Sequence, residues 1–227
     1  MSDAEDRVAL IVGASGLVGR ELVRALSRRS DYASVHSLVR RVSLTPLPRV
    51  VEHVVDFDAL PVLPACNDVF IALGTTIKVA GSKAAFRRVD HDYVLEVARK
   101  AREAGATRLG VVSALGADAD SRVFYNRVKG EVEAALTSAQ LGYESVVIAR
   151  PSLLLGDRAA LGQPRRAGER WAERLLAPIS SLIPATYRPV AAADVAAALL
   201  DGVRAAPRGV SILGSASMQG RAANAER

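Results

Sequence analysis

Residues 8–12 form a short, unbroken apolar run, the pattern of a strand covered on both faces. From Leu17 onward the apolar positions Val18, Leu22, Val23 and Leu26 recur at helical spacing and end near the charged pair Arg28-Arg29. Residues 35–39 and 50–55 read as second and third strands. Residues 69–73 read as a fourth, followed by the polar turn Gly74-Thr75-Thr76. A long helix is predicted over 82–104, turning Phe86, Val89, Tyr93, Val94 and Val97 towards a sheet, with Gly105 as its stop. A strand over 109–112, a helix over 124–139, a break at Gly142 and a strand over 145–149 continue the alternation. Strands alternating with helices of this length predict right-handed βαβ units and a parallel sheet with helices on both faces.

After Pro151 the rhythm changes. Residues 156–166 are polar and rich in Gly, Pro and Arg, the mark of a loop, and a helix is predicted over 169–176 before an irregular stretch at 178–184. A helix over 191–200 and a strand over 210–213 follow. There is no internal repeat and no dividing linker. Residues 1–215 are therefore expected to form one domain with a small substrate lobe at 153–190, and residues 216–227 a flexible tail.

Composition narrows the class. The chain is 50% hydrophobic but only 4% aromatic, so its core must be aliphatic, as in the buried strands of a parallel sheet. The lone Cys66 excludes an intramolecular disulfide framework and suits a reducing compartment. Asp3, Glu5, Asp6 and Arg7 precede the first apolar run, which is too short for a signal peptide, and no run is long enough to cross a membrane. A cytoplasmic location is expected. The formal charge of +6 comes from scattered arginines with few accompanying aromatics, so no dedicated nucleic-acid binding is expected. His36, His53 and His91 lack metal-ligand spacing and no metal is expected; Asp90 and Asp92, flanking His91, read as surface residues.

Gly13, Gly16 and Gly19 lie between the first strand and the first helix, the context in which this spacing can seat a dinucleotide phosphate. Gly13 permits the tight turn, Gly16 close approach of a pyrophosphate, and Gly19 close packing of helix on strand. Ser15 adds a hydroxyl, and the helix start at Leu17 and Val18 offers unpaired N–H groups. The second strand runs into Arg40-Arg41 with no acid to hold the ribose hydroxyls. Guanidinium suits a 2′-phosphate, so NADP(H) is the expected cofactor, with Arg40 ahead of Arg41. Asp56, after the third strand, is assigned to the adenine; Leu73, Gly74 and Thr75, after the fourth, to the pyrophosphate and ribose.

Tyr125 and Lys129 stand at i and i+4 on one helical face, where a phenol and an ammonium can reach one cleft. An ammonium beside a phenol favours the phenolate, which fits the phenol to exchange a proton with an alcohol or carbonyl. Ser113, at the end of the fifth strand, can hold the substrate oxygen, and the two hydroxyls together can stabilise a developing alkoxide. Each feature alone is weak: a glycine-containing βα turn needs no ligand, and the Tyr–Lys spacing arises by chance. Their order and separation point to a nicotinamide-dependent redox site or its remains.

The ordered segments GASGLVG at 13–19, VVDFD at 54–58, LGTT at 73–76 and VDHDYV at 89–94 carry a resemblance, as do VSALGAD at 112–118, YNRVKGEVE at 125–133 and ARPSLLLGDR at 149–158. Through them nearly the whole chain, up to about Arg204, resembles the atypical branch of the short-chain dehydrogenase/reductase family, the branch that contains the mammalian HIV Tat-interacting protein and bacterial oxidoreductase-like relatives. The resemblance implies an NAD(P)-binding Rossmann-type doubly wound α/β fold, with Ser113, Tyr125 and Lys129 on the family's catalytic triad and Pro151 and Ser152 walling the nicotinamide. It also makes a homodimer the expected assembly. The chain departs from the family at two points. Its region after strand six is short for a nucleotide-sugar pocket, and the upstream Asn of the proton relay has no match, Thr75 and Thr76 lacking its chemistry. Two functions are compatible with these residues: NADP(H)-dependent reduction of a small organic carbonyl or oxidation of the alcohol, or an NADPH-binding regulatory or interaction protein.

Overall fold

The computed structural model describes residues 7–43, 47–156, 183–205 and 207–225. Strand β1 (Arg7–Val12) leads into helix α1 (Leu17–Ser27), which returns the chain to β2 (Tyr32–Val39) and then β3 (Val50–Val54). Beyond β4 (Asp68–Ile71), the short helices α2 (Ile77–Ala80) and α3 (Lys83–Arg87) precede a π turn at Arg88–Asp92 and helix α4 (Tyr93–Glu103). Strand β5 (Arg108–Val112), helix α5 (Phe124–Leu136) and strand β6 (Ser145–Arg150) complete the central alternation.

All neighbouring strands of the main sheet are parallel, in the order β3-β2-β1-β4-β5-β6-β9, with β9 at Gly209–Gly214. The order reverses between β1 and β4. In a doubly wound sheet this opens a crevice at the carboxyl ends of those strands, where dinucleotides lie.

Alternation along β1 feeds two cores. Ala9 and Ile11 join Leu22 and Leu26 of α1 and Val195, Leu199 and Val203 of α6 (Ala192–Ala205) on one face. Leu10 and Val12 join Val97 and Ala101 of α4 and Val132 and Leu136 of α5 on the other. These residues are all at most 4% exposed, and each large aliphatic side chain so buried contributes about 1.5–3 kcal/mol. Gly105, at φ +104°, ends α4 where sequence placed the stop, with Ala106 N–H returning to Ala101 O at 3.0 Å.

At the amino ends of four strands, away from the crevice, lies a buried polar knot. Tyr32 donates its hydroxyl to Asp68 Oδ2 at 2.6 Å, Arg7 pairs with the same carboxylate, and Arg108 Nη1 stands 3.6 Å from Oδ1. Asp68 is fully buried, and burial holds its carboxyl above the ordinary range even though Tyr32, Arg7 and Arg108 pull it back.

The structure redraws several sequence boundaries. β4 stops at Ile71, so Leu73 belongs to the following loop, and the helix predicted over 124–139 ends at Leu136, before a 3₁₀ turn at Ala139–Leu141 capped by Ser138. The loop at 156–166 and the helix at 169–176 fall, after Gly156, outside the described residues. What is described of the lobe is a two-stranded parallel pair, β7 (Leu154–Leu155) with β8 (Val190–Ala191). Within the segment expected as a tail the chain forms α7 (Ser215–Met218) and α8 (Arg221–Ala225). Met218 is fully buried there, and Asp194 of α6 accepts the N–H groups of Gly220 and Ala222 at 3.1 and 2.9 Å.

Candidate active site

The glycine loop is shaped by contacts that no side chain would permit. A Cβ on Gly13, whose φ is +94°, would stand 2.4 Å from Ala72 O, and one on Gly19 would stand 2.1 Å from Gly13 O. The first packs the turn against the end of β4; the second brings α1 down onto the turn. Gly16 caps α1 in an extended conformation without a side-chain acceptor, and no acid occupies the first turn. The N–H groups at Leu17, Val18 and Gly19 are thus left to an external anion at the positive end of the helix. Ser15 is exposed beside them. The residues present fit the phosphates of a nicotinamide dinucleotide.

The other residues assigned to the cofactor follow the carboxyl ends of β2, β3 and β4. Arg40 and Arg41, just past β2, are exposed and make no ion pair among the described residues. Asp56 is exposed, and its Oδ1 accepts Asp58 N–H at 2.9 Å, fixing a turn after β3. That turn is tied to the helical layer: Tyr93 donates to Asp58, Arg88 pairs with it at 2.7 Å, and the Phe57 and Tyr93 rings lie 5.5 Å apart. Leu73 is half-buried, Gly74 is exposed, and Thr75 donates its backbone N–H to Asp90 Oδ2 at 2.8 Å.

Helix α5 carries Tyr125, Lys129 and Glu133, at four-residue intervals, on one face. The half-buried Tyr125 ring packs against Phe86, with centroids 5.5 Å apart, and its hydroxyl has no hydrogen-bond partner among the described residues. Lys129 is almost wholly buried, with Nζ 2.8 Å from Oδ1 of Asp90, itself 1% exposed. Ser113 follows β5; its hydroxyl donates to Glu133 Oε1, while its N–H is held by Ala149 O at 2.8 Å. Arg150, at the end of β6, grips Glu133 through Nε at 3.1 Å to both oxygens and Nη2 at 2.5 Å, which raises the guanidinium above its ordinary pKa. The Ser113 and Lys129 side chains thus meet the same helix and its buried partners, and Tyr125 opens the row.

The loop after β5 lies directly on α5. A Cβ on Gly130 would stand 2.1 Å from Ala119 N, and Asp118 N–H reaches the Asn126 carbonyl at 3.1 Å. Pro151 is buried, its carbonyl accepting Leu115 N–H at 2.9 Å. The Ser152 hydroxyl donates to Arg188 O and receives that of Ser215 at 2.9 Å, so this side chain is engaged with the segments around β8 and α7.

Sequence reasoning missed Asp90, Glu133 and Arg150. Asp90, read as a surface residue, is buried; its signal was a charge in phase with the apolar stripe, four residues after Phe86 and four before Val94. Glu133 had a similar signal, four residues beyond Lys129 on the same face. The histidines read as scattered are partly brought together, His36 Nδ1 lying 2.8 Å from His53 Nε2 across β2 and β3.

The sheet order, the switch point and the uncapped glycine turn define a Rossmann-type NAD(P)-binding protein. The chain belongs to the NAD(P)H-binding family whose model matches residues 13–170, and within it to the atypical Rossmann-fold oxidoreductases related to FMP52 and HTATIP2. It is 40% identical over 154 residues to the mitochondrial protein FMP52 of Eremothecium gossypii, spanning 66% of this chain and 67% of that protein. With the protein HTATIP2 of Rattus norvegicus it shares 35% identity over 178 residues, 75% of this chain and 70% of the relative. Among solved structures it resembles MoeE5 in complex with UDP-glucose and NAD, with a TM-score of 0.67 over 90% of this chain and 74% of that one; at 20% identity this likeness shows the fold alone.

These relatives correct one expectation. A cytoplasmic location followed from a short apolar run and a single cysteine, yet fungal relatives from several species are named mitochondrial proteins. Neither feature distinguishes one reducing compartment from another. Among the described residues no helix is long and apolar enough to cross a membrane.

Proposed function

We propose that the protein is an NADP(H)-dependent oxidoreductase that reduces a small organic carbonyl, or oxidises the corresponding alcohol, through Ser113, Tyr125 and Lys129. The observation that carries this reading is the row on α5, an unengaged phenol one turn before a buried ammonium, at the rim of a crevice fitted for a dinucleotide. The bound dinucleotide would supply or accept hydride. Tyr125 exchanges the proton at the substrate oxygen, and Lys129 keeps a positive charge beside it and offers its remaining N–H donors to the cofactor's ribose. At rest the Ser113 hydroxyl gives its proton to Glu133, which turns its lone pairs outward, so it rotates away from Glu133 to donate to a developing alkoxide. The N–H groups of Leu17, Val18 and Gly19, with Ser15 beside them, would hold the phosphates. Asp56 would hold the adenine, Leu73, Gly74 and Thr75 the ribose, and Pro151 would wall the nicotinamide. Arg40, exposed and unpaired with Arg41 after it, favours the 2′-phosphate of NADP(H) over NAD(H).

Parallel titration with NADPH and NADH, followed by nicotinamide fluorescence, tests the cofactor, with saturation by NADPH and much weaker NADH expected. NADPH consumption is then measured over a panel of small aldehydes and ketones for wild type and Tyr125→Phe. The variant should bind NADPH and lose turnover; full turnover without the phenol would refute the assignment.

A further inference from the structure

A carboxylate inside a helix's apolar stripe is costly, and replacing a buried ion pair with apolar residues is often neutral or stabilising. Stability therefore does not explain Asp90. It sits in the π turn between α3 and α4, a wider turn of the kind found at functional sites. Its oxygens are divided: Oδ1 faces Lys129 Nζ at 2.8 Å, and Oδ2 accepts Thr75 N–H at 2.8 Å. A Cβ built on Gly74 would stand 3.6 Å from Asp90 Oδ1, so the carboxylate also lies beside the Gly74 backbone. One buried carboxylate thus links the loop after β4 to the lysine of α5.

We infer that Asp90 is a positioning residue that sets the Gly74–Thr75 shelf and the Lys129 ammonium as one preformed unit for the nicotinamide ribose. The inference rests on the function proposed above. The ion pair holds the Lys129 ammonium beside Asp90 Oδ1, and its N–H donors remain available to a ribose. The Thr75 N–H, anchored to the second oxygen, fixes the height of the shelf relative to that ammonium. A polyanionic dinucleotide arriving here meets Asp90 as half of a neutral pair rather than as a bare charge.

This role and a merely electrostatic one predict opposite signs. Asp90→Asn keeps the shape and an acceptor for Thr75 N–H but removes the charge. If Asp90 acted only as a nearby anion, the substitution would tighten NADPH. As a positioning residue it should weaken NADPH by about tenfold, the size of coupling expected between contacting groups. NADPH affinity and melting temperature are measured for wild type, D90N, K129M and D90N/K129M. D90N should add little to the binding loss of K129M. Both single variants should melt lower than wild type, and the double variant should recover most of the loss, because neither charge is then left alone. Unchanged or tighter NADPH binding by D90N, or an equal penalty in the K129M background, overturns the inference. Should the wild type bind neither NADPH nor NADH, the proposed function and the cofactor part of this inference fall together. The melting cycle then decides the Asp90–Lys129 coupling on its own: recovery in the double variant supports it, and additive losses refute it.

Discussion

Glu133→Ala removes the acceptor shared by Ser113 and Arg150, and its cost can be worked from their burial. The Glu133 side chain is 7% exposed and Arg150 32%. Each charge-assisted hydrogen bond lost is worth about 1.5–3 kcal/mol, and Ser113, 8% exposed, is left without its acceptor. Two effects offset part of this: the carboxylate no longer has to be desolvated, and the partly exposed guanidinium regains water. A net loss of about 2–3 kcal/mol remains. For a chain of this length each kcal/mol shifts Tm by about 2–4 °C, so Glu133→Ala should melt about 4–12 °C below wild type. Thermal unfolding followed by circular dichroism measures this directly. Ser113→Ala added to Glu133→Ala should cost almost nothing further, since the bond is already gone. A melting temperature equal to wild type, or a Ser113→Ala penalty as large in the variant as in wild type, would refute the assigned network.

Gly19→Ala should lower Tm and abolish NADPH binding, since its Cβ would stand 2.1 Å from Gly13 O, whereas Gly16→Ala, at 3.2 Å from the same oxygen, should leave the fold intact. Equal melting of the two variants would show that α1 is not held by that contact. Asp68 gives a pH signature. Burial raises its carboxyl, so between the ordinary carboxylate range and its raised value the folded chain binds more protons than the unfolded one. Its contribution to stability therefore falls as pH rises through that window, and Asp68→Asn should flatten this part of the profile in denaturant titrations. A variant profile parallel to wild type would refute it.

The elements were most legible where sterics leave little choice. Residues 8–12 read as a buried strand, and a Cβ on Gly13 or Gly19 would run into backbone. Tyr125 and Lys129 were legible because a helix puts i and i+4 together. The pairs Lys129–Asp90 and Glu133–Arg150 were not, since pairing across elements depends on where the π turn before α4 and the end of β6 place Asp90 and Arg150, and periodicity carries no such distance. The rule that acids face water misplaced Asp90, although its phase argued otherwise. The helices α7 and α8 were not legible for a related reason: small, polar residues say little about docking, which here involves Met218 and Asp194 some two dozen residues upstream.

The strand order also has a consequence for how the chain acquires its structure during synthesis. Strands β1 to β6 can pair as they leave the ribosome, but the outer flank of β6 waits for residues 209–214, beyond the whole lobe and α6. Until then β6 presents open N–H and C=O groups beside an apolar run, the kind of edge that recruits other chains. Among the described strands β9 therefore covers β6 last and takes the edge position itself. Translation pauses or truncations that delay β9 should show first as aggregation, before any loss at the nucleotide crevice.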